Sequence, residues 1–575
     1  MDALSMVSTV RTPQTEPIPG RQAEMVRNNA GGFTFGKDLW TKLEDFLILG
    51  TTGGTYYVGE KEHTFANAQV VFDAIGADGC RAVQLATEVS TAGRAPKNFP
   101  ALFVLAAAFA RGDLDARRAA RGALPSIART TDHFAHFWGY YKNLKGKPSG
   151  KGIAPVMNRL MRGALADWFL ADDADRIAFR ACKARSRKTG SGEPFALRDM
   201  LRLAKPSLIK MDPATDALFG WLAGNVPDEQ AALVLPSVEK YRIAKAVTGP
   251  KEAVTAVRTL RVPWEFLPDA VLDSPEVWEA LTETVGMTAL IRNLARMTRI
   301  AALKPYGGEA VSTVVRRLTD GEALKKARIH PLDVYLALKV YNSGAAQPNP
   351  KAPLRTWTPL AAISDALEEA YELSFGYVEP SGKRLLVAVD SSGSMSNGFG
   401  GRVVLGGSPL GSPYEIACGM AAAMSRIEKG NVHVIDVDTA VRRSRVTPRT
   451  NLREIASWQP SGGGTDLSLP FEWAASQRIA VDGFLVLTDN ETWAGRYQHP
   501  SQALDGYRSS VNPQARVIVA SMTAAGHSIA DPKQQGVLQV AGFDAALPQL
   551  VSGFLRSPRT DDNVQELLHE ARRSM

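Results

Sequence analysis

The sequence predicts an α-helical solenoid followed by a doubly wound α/β domain. Three observations support this order. From about residue 33 to residue 342, apolar residues recur at steps of three and four, as on one face of a helix. A stretch at 344–353 containing Pro348, Pro350 and Pro353 then interrupts any helix. Beyond it, short apolar runs alternate with helical segments, a pattern typical of parallel strands joined by crossover helices.

Length and composition indicate a soluble protein of several domains. The 575 residues exceed what one hydrophobic core usually serves, and 45% hydrophobic with 22% charged residues is ordinary for a globular chain. No apolar run approaches the roughly 18 to 20 residues that a membrane span needs, and the start of the chain lacks the order of a secretory signal. We therefore expect a cytoplasmic protein without a membrane partner.

The first residues of the chain and its cysteines support two further expectations. Residues 1–23, with Pro13, Pro17 and Pro19, are expected to form a flexible arm. Cys80, Cys182 and Cys418 lie far apart, with no metal-ligand spacing and an odd count that suits no disulfide framework. A reducing compartment fits this cysteine usage.

The positive charge lies entirely in the first region. Residues 1–375 contain 48 Lys and Arg against 40 Asp and Glu, a net +8, whereas residues 376–575 contain 19 of each. Residues 111–210 alone contain 21 basic and 9 acidic side chains, a net +12, which can attract a polyanion. The alternative is a solvated basic face without a ligand.

Helices with basic faces supply the candidate residues for nucleic-acid binding. The segment 287–303 has an apolar stripe on one side and Arg292, Arg296 and Arg299 on the other. Many such helices with short turns suggest a solenoid of HEAT or armadillo type. The candidate RNA-binding residues are Arg129, Lys142, Lys145, Arg176, Arg180, Lys183, Arg185, Arg187, Arg198, Arg292, Arg296 and Arg299.

The second region reads as a parallel sheet with crossover helices. Residues 384–390, 432–438, 484–489 and 515–522 are short apolar runs typical of buried strands. Residues 414–427, 469–477, 502–508 and 546–555 are helical and connect them. In such a sheet, ligands bind beyond the carboxyl ends of the strands.

Polar residues stand at those strand ends. Asp390, Ser392 and Ser394 alternate along a turn that contains Gly393, so three oxygens can point at one centre. Thr465, in a glycine-rich loop, and Asp489, at the end of another strand, are expected to converge on the same edge. Hydroxyl and carboxylate oxygens suit a hard divalent cation, and we predict Mg²⁺.

This set resembles the metal-ion-dependent adhesion site of von Willebrand A domains, with its Asp-x-Ser-x-Ser, Thr and Asp elements. The resemblance implies that Ser392, Ser394 and Thr465 ligate the ion directly, while Asp390 and Asp489 act through bound water. A first shell rich in neutral hydroxyls leaves the ion able to accept an outside carboxylate or phosphate oxygen. We predict no enzyme: phosphate-loop and nucleophile-elbow patterns are absent, as are the clustered carboxylates of a two-metal nuclease.

A second resemblance extends over nearly the whole chain from residue 24. Residues 31–33, 47–57, 287–294, 329–335 and 490–495 are similar to signatures of the TROVE domain of the Ro autoantigen family. The resemblance implies a monomeric ring of HEAT-like repeats closed by the A-type domain. It divides the chain into the arm at 1–23, a helical RNA-binding domain at 24–360 and the A-type domain at 361–575.

The family resemblance also implies the partners. Members bind Y-class small noncoding RNA on the outer surface and single-stranded 3′ ends of misfolded RNA in a basic hole. Bacterial members are tethered by such RNA to a 3′ exoribonuclease, polynucleotide phosphorylase. The family carries a histidine where this chain has Leu197, so a polar contact is missing there. A metal-dependent protein-interaction module is the alternative function.

Overall fold

The computed structural model describes residues 11–49, 60–145, 158–186, 196–206, 212–347, 353–396, 403–405, 408–542 and 544–557. The first region is helical, as predicted. Its helices are α1 Leu39–Leu49, α2 Glu60–Ala92, α3 Phe99–Arg111, α4 Leu114–Ile127, α5 Thr131–Lys145, α6 Arg159–Leu170, α7 Ala174–Ser186, α8 Leu197–Ala204, α9 Pro213–Ala223, α10 Asp228–Ala231, α11 Pro236–Ala246, α12 Pro250–Leu260, α13 Pro275–Leu281, α14 Met287–Arg299, α15 Glu309–Leu318, α16 Gly321–Lys326 and α17 Pro331–Asn342.

The second region adds α18 Ala361–Leu373, α19 Pro413–Ile427, α20 Leu452–Ile455, α21 Leu469–Ser476, α22 Pro500–Ser510 and α23 Leu547–Arg556. The strands are β1 Met25–Arg27, β2 Phe33–Gly36, β3 Ala345–Ala346, β4 Arg355–Thr356, β5 Leu385–Asp390, β6 Val403–Leu405, β7 Ser408–Gly411, β8 Val432–Val437, β9 Val441–Arg443, β10 Gly483–Thr488, β11 Arg516–Ser521, β12 His527–Ser528 and β13 Val537–Ala541.

Local sequence signals set the helix boundaries. The Asp212 side chain accepts hydrogen bonds from the backbone N–H groups of Ala214 and Thr215, and Pro213 occupies the first turn of α9. Asp113 caps α4 in the same way. Helix α13 begins at Pro275; the Ser274 side chain before it makes no capping bond, so proline in the first turn is the local signal for this start.

Most helices pack against helices one or two places away in sequence, as in a solenoid. In α14, Leu290, Leu294 and Met297 are buried, which confirms three positions of the predicted apolar stripe, and Arg292 is exposed on the opposite side. The fourth predicted position, Ala301, is exposed, because the helix ends at Arg299. The assignment to the HEAT type stays a prediction.

The helical region closes on itself at the end of α2. His330 Nε2 lies 3.0 Å from the carbonyl oxygen of Arg94, and Arg328 donates to the carbonyl of Thr91 at 3.0 Å. The second region joins at the same place, because Arg94 Nε donates to Asp544 at 3.0 Å. We call Arg94, His330 and Asp544 the closure junction. Through it the first helices, the last helices and the α/β domain form a ring.

The α/β domain contains a six-stranded sheet in the order β13-β11-β10-β5-β8-β9. All neighbours are parallel except β9, which runs antiparallel to β8 at the edge. The four predicted strands are confirmed within one residue at each end, whereas β9 and β13 were not predicted. Every residue of β5 and β10 is buried, which explains their continuous apolar sequence.

The two faces of this sheet belong to different cores. Val387 and Leu487 pack into the large hydrophobic cluster that continues through the helices, while Ala388 and Val486 pack into a second cluster on the opposite face. Side chains alternate between faces along a strand, so each strand contributes to both cores. The helical region and one face of the sheet therefore share a continuous core.

The prediction of a flexible arm at 1–23 is wrong for residues 11–23, and residues 1–10 lie outside the described part. Thr12, Gln14 and Ile18 are buried. Downstream, β1 and β2 form a hairpin whose second strand pairs with β12, so residues 25–36 are not helical and join the α/β domain. We call residues 11–36 the N-terminal strap. Its partners lie more than 450 positions away, beyond the reach of any local pattern.

A search of the described helices for a membrane span finds no candidate with the required length and hydropathy.

Candidate metal centre and nucleic-acid surface

The predicted metal residues lie at the point in the sheet where strands that follow in sequence are added on opposite sides of β5. From β5 the chain adds β8 on one side and later β10 on the other. This switch point leaves a crevice beyond the carboxyl ends of β5 and β10, the usual ligand position in open α/β sheets. Asp390 is the last residue of β5, and Asp489 directly follows β10.

The first loop arranges its oxygens through its own hydrogen bonds. Asp390 is fully buried; its Oδ1 accepts from the Ser392 backbone N–H at 2.9 Å and its Oδ2 accepts from the Thr488 hydroxyl at 2.6 Å. The hydroxyl oxygens of Ser392 and Ser394 lie 3.1 Å apart. Three of the predicted ligands therefore face one small volume.

The second loop is fixed to the first by backbone bonds. Gly462 and Gly463 have φ of +83° and +90°, values that favour glycine, and this turn lets Gly393 N–H donate to the Gly463 carbonyl at 3.1 Å. The loop then reaches Thr465, whose carbonyl accepts from the Trp493 N–H at 3.0 Å. Thr465 is thereby tied to the segment after Asp489.

The third loop presents a carboxylate with spare capacity. Asp489 Oδ1 accepts from the Glu491 N–H at 3.1 Å. The other oxygen, Oδ2, is buried and has no hydrogen-bond partner. A buried anionic oxygen without a partner is costly, so this position favours a cation.

The electrostatics agree with a cation site. Burial raises the pKa of Asp390, and burial together with the charge of Asp390 raises the pKa of Asp489 well above its ordinary value. A divalent ion would offset both effects. In the described part of the chain, no three His, Cys, Asp or Glu side chains gather as a metal cluster. The predicted donors, three hydroxyl groups and two carboxylates, have the chemistry of a hydroxyl-rich shell for a hard cation.

Sequence reasoning missed the residues that hold this third loop. The Gln14 amide donates to Asp466 at 2.8 Å and accepts from the Thr492 hydroxyl at 2.6 Å. Asn29 donates to Glu491 at 2.7 Å. A Cβ on Gly32 would lie 2.0 Å from the Thr492 carbonyl, so only glycine fits there. The N-terminal strap thus supports the loop that carries Asp489.

Many candidate RNA-binding residues form ion pairs with acidic residues of the same helical region. These pairs are Arg176 and Arg180 with Asp172, Lys183 with Glu265, Arg185 with Asp228, and Arg296 and Arg299 with Asp273. Arg185 also lies over the Trp221 ring at 4.1 Å. Asp172 is already counted in the net +12 of residues 111–210, but Glu265 and Asp228 lie outside that segment, so their pairs with Lys183 and Arg185 make its free positive charge smaller than the count suggests.

Other candidates have different surroundings. Arg129 is half-buried and donates to the Ser90 hydroxyl at 3.0 Å; burial, together with Arg328, lowers its pKa to about 10. Lys145 donates to the Ala110 carbonyl at 2.9 Å, and Lys142 is half-buried. Arg187 lies outside the described residues.

Arg198 and Arg292 are exposed, and within the described residues neither forms an ion pair. Arg202 lies one turn after Arg198 on α8 and is equally exposed and unpaired in that part of the chain. Leu197, at the start of the same helix, is buried in the core. Consequently α8 offers charge without the polar residue that the family resemblance would place at its start.

Comparisons with known proteins all give members of one family, and the full-length relatives match at least 90% of this chain. Residues 384–555 match the family described as the Ro60 vWA domain, and residues 222–354 match the TROVE domain. The RNA-binding protein RO60 of Deinococcus radiodurans is 36% identical, covering 96% of this chain and 99% of that protein. RO60 of Caenorhabditis elegans is 30% identical over 95% and 93%. The crystal structure of the Deinococcus radiodurans RO (RSR) protein matches 90% of this chain and 99% of that one, with 34% identity and a TM-score of 0.65.

Proposed function

Because the chain belongs to the RO60 family, we propose that it is an RNA-binding scaffold of a Ro-type ribonucleoprotein in the cytoplasm. In this proposal, Y-like small noncoding RNA binds the outer surface of the helical region. The ring receives single-stranded 3′ ends of misfolded RNA for quality control. Polynucleotide phosphorylase is the proposed exoribonuclease partner, tethered through the bound RNA.

The observation that carries the proposal is the unpaired basic face of α8. Arg198 and Arg202 stand four residues apart, so both project from one side of the helix, and Lys205 follows it, also exposed. Each guanidinium group without an acidic partner can form bidentate hydrogen bonds to a phosphate. This supports contact with an RNA backbone.

Binding of labelled RNA with a single-stranded 3′ tail tests the proposal. Affinity should fall as salt rises from 50 to 200 mM, because phosphate contacts release counterions. Arg198→Gln with Arg202→Gln should lower the slope of log K against log salt by about 0.7 for each contact on a single strand. Lys383→Gln is the matched control, since Lys383 is exposed and precedes β5 at the opposite end of the sheet from the metal residues.

A wild-type affinity that is weak and independent of salt would overturn the proposal. Sequencing RNA crosslinked to the protein in its own cells tests the Y-like RNA separately. Polynucleotide phosphorylase should co-purify with the protein and be released by ribonuclease if RNA is the tether.

We further propose that Ser392, Ser394 and Thr465 hold Mg²⁺ directly, with Asp390 and Asp489 acting through bound water. When bound, the ion supplies an open position for an acidic oxygen. The buried, unpartnered Asp489 Oδ2 supports this assignment. Titration with Mn²⁺, observed by calorimetry, should show one site in the wild type and none in Thr465→Ala.

A metal-dependent protein-interaction module is the second candidate, and the same Asp489 oxygen favours it. The ion would capture an Asp or Glu side chain of a partner protein. Such capture should disappear with EDTA and in Thr465→Ala, while RNA binding by the helical region persists. Equal loss of RNA binding in EDTA would contradict this separation.

A further inference from the structure

The edge of the α/β domain carries a concentration of arginine that the domain average conceals. Residues 439–453 contain five arginines and no acidic residue, although residues 376–575 have no net charge. All five are exposed, and we call Arg442, Arg443, Arg445 and Arg449 the arginine edge. The fifth, Arg453, is held by Asp365 and Glu368.

The backbone spreads these side chains around a free sheet edge. β9 is the outer strand, and its register sets Arg442 opposite Asp436 and Arg443 opposite Ile435. Successive residues of a strand point to opposite faces, so Arg442 and Arg443 flank the edge from both sides. Arg445 follows and lies over the half-buried Trp458 ring at 4.5 Å.

Internal contacts use only part of this charge. Arg442 forms an ion pair with Asp438, and Arg445 reaches the Gln459 carbonyl at 3.5 Å in addition to Trp458. The guanidinium groups of Arg443 and Arg449 make neither an ion pair nor a hydrogen bond within the described residues. Asp436, the other nearby carboxylate, is buried and accepts from the Tyr414 hydroxyl at 2.9 Å. The exposed surface therefore keeps an excess of positive charge.

The arginine edge adjoins the candidate metal centre. Arg442 and Ser461 both donate to Asp438 Oδ2, the latter at 2.7 Å, and the Ser461 and Ser391 hydroxyls lie 2.8 Å apart. Ser391 stands between Asp390 and Ser392 in the first metal loop. One anionic chain could thus contact the edge and approach the metal loops together.

We propose that the arginine edge is a second phosphate-binding surface, which contacts the backbone of a single-stranded RNA segment. The inference rests on the proposed RNA-binding function and extends it to the α/β domain. Four guanidinium groups, two on β9 and two in the segment that follows it, match a repeating anion better than a single acidic side chain, which needs only one cation. Arginine stacked on an aromatic ring is also a common platform for nucleic acid. Protection of the sheet edge from pairing requires fewer charges than four.

The test uses a double variant that carries both Arg443→Gln and Arg449→Gln. This variant is compared with the wild type and with the control Lys383→Gln. Both arginines are exposed and unpaired in the described structure, so the melting temperature should not change. With RNA carrying a long single-stranded tail, the slope of log K against log salt should fall by about 1.4, or 0.7 for each lost phosphate contact. With blunt duplex RNA, the variant and wild type should agree.

Crosslinking followed by peptide mapping provides a second measurement. Photo-crosslinked tailed RNA should label the peptide containing residues 439–453 in the wild type. If wild type binds tailed RNA with strong salt dependence but the variant keeps the same slope and the peptide is unlabelled, the arginine edge is not an RNA surface. The same result accompanied by loss of an acidic protein partner would assign it to protein instead. Failure of wild type to bind RNA would reject the proposed function itself.

Discussion

Arg94 at the closure junction provides the most direct test of how the ring is held together. Its side chain and that of Asp544 are each 1% exposed, and it also pairs with Glu44, which is 22% exposed. Burial favours the neutral guanidinium, but Asp544 and Glu44 outweigh that effect and raise the pKa of Arg94. Arg94→Met would leave the Asp544 carboxylate buried without its cation. Breaking a buried pair in this way costs about 3 to 5 kcal/mol.

A matched control lies at the same junction. Lys97 and Asp333 are 3.7 Å apart and each 27% exposed, so Lys97→Met should cost about 1 kcal/mol or less. Urea unfolding followed by tryptophan fluorescence measures both. Arg94→Met with Asp544→Asn should recover much of the loss, because Asn keeps the acceptor for the Ala546 N–H while removing the unpaired charge. If Arg94→Met were no more destabilising than Lys97→Met, the junction would not depend on this ion pair.

Three further predictions concern the strap, a buried histidine and the arginines of α14. Gln14→Leu removes the support of the third metal loop and should weaken Mn²⁺ binding, measured by calorimetry, about tenfold. An unchanged affinity would show that the strap does not contribute to metal binding. Burial lowers the pKa of His133 to about 4, so the folded state protonates later than the unfolded chain, whose histidine titrates near 6.5. The contribution of neutral His133 to the free energy of unfolding is therefore fully present above pH 6.5 and is lost, by about 3 kcal/mol, as pH falls toward 4. In urea titrations, the free energy of unfolding of His133→Phe should fall correspondingly less between pH 7 and pH 4.5 than that of the wild type. An equal fall in the free energy of unfolding of wild type and His133→Phe between the two pH values would contradict this. Arg292→Gln should weaken RNA binding without changing the melting temperature, whereas Arg296→Gln, which breaks the contact with Asp273, should also lower it; identical melting behaviour of the pair would count against the assigned roles.

The α/β domain was largely predictable because its signals are local. A strand buried on both faces is apolar at every position, and β5 and β10 are recognisable from six residues each. The metal residues follow from the strand ends, since parallel strands bring their carboxyl ends to one edge. Local pattern and tertiary position agree at Asp390 and Asp489.

The supporting contacts were not predictable, because they depend on distant residues. Nothing near Gln14 indicates that its amide is bound by Thr492, and proline content alone suggested a flexible segment. Charge counts fail for the same reason. The count over residues 111–210 cannot show that Glu265 and Asp228, outside that segment, pair with Lys183 and Arg185. The zero net charge of the second region likewise does not reveal Arg443 and its neighbours.

The N-terminal strap has a consequence for synthesis of the chain. Gln14 is synthesised 452 residues before Asp466, its partner in the second loop of the candidate metal centre. At about 5 to 20 residues per second, that interval lasts roughly 20 to 90 seconds. During it, Ile18, Met25 and Phe35 can pack against one another within the strap, but Gln14 lacks its partners Asp466 and Thr492. The N-terminal strap therefore makes its contacts with the α/β domain only after the loops that carry Asp466 and Thr492 have been synthesised.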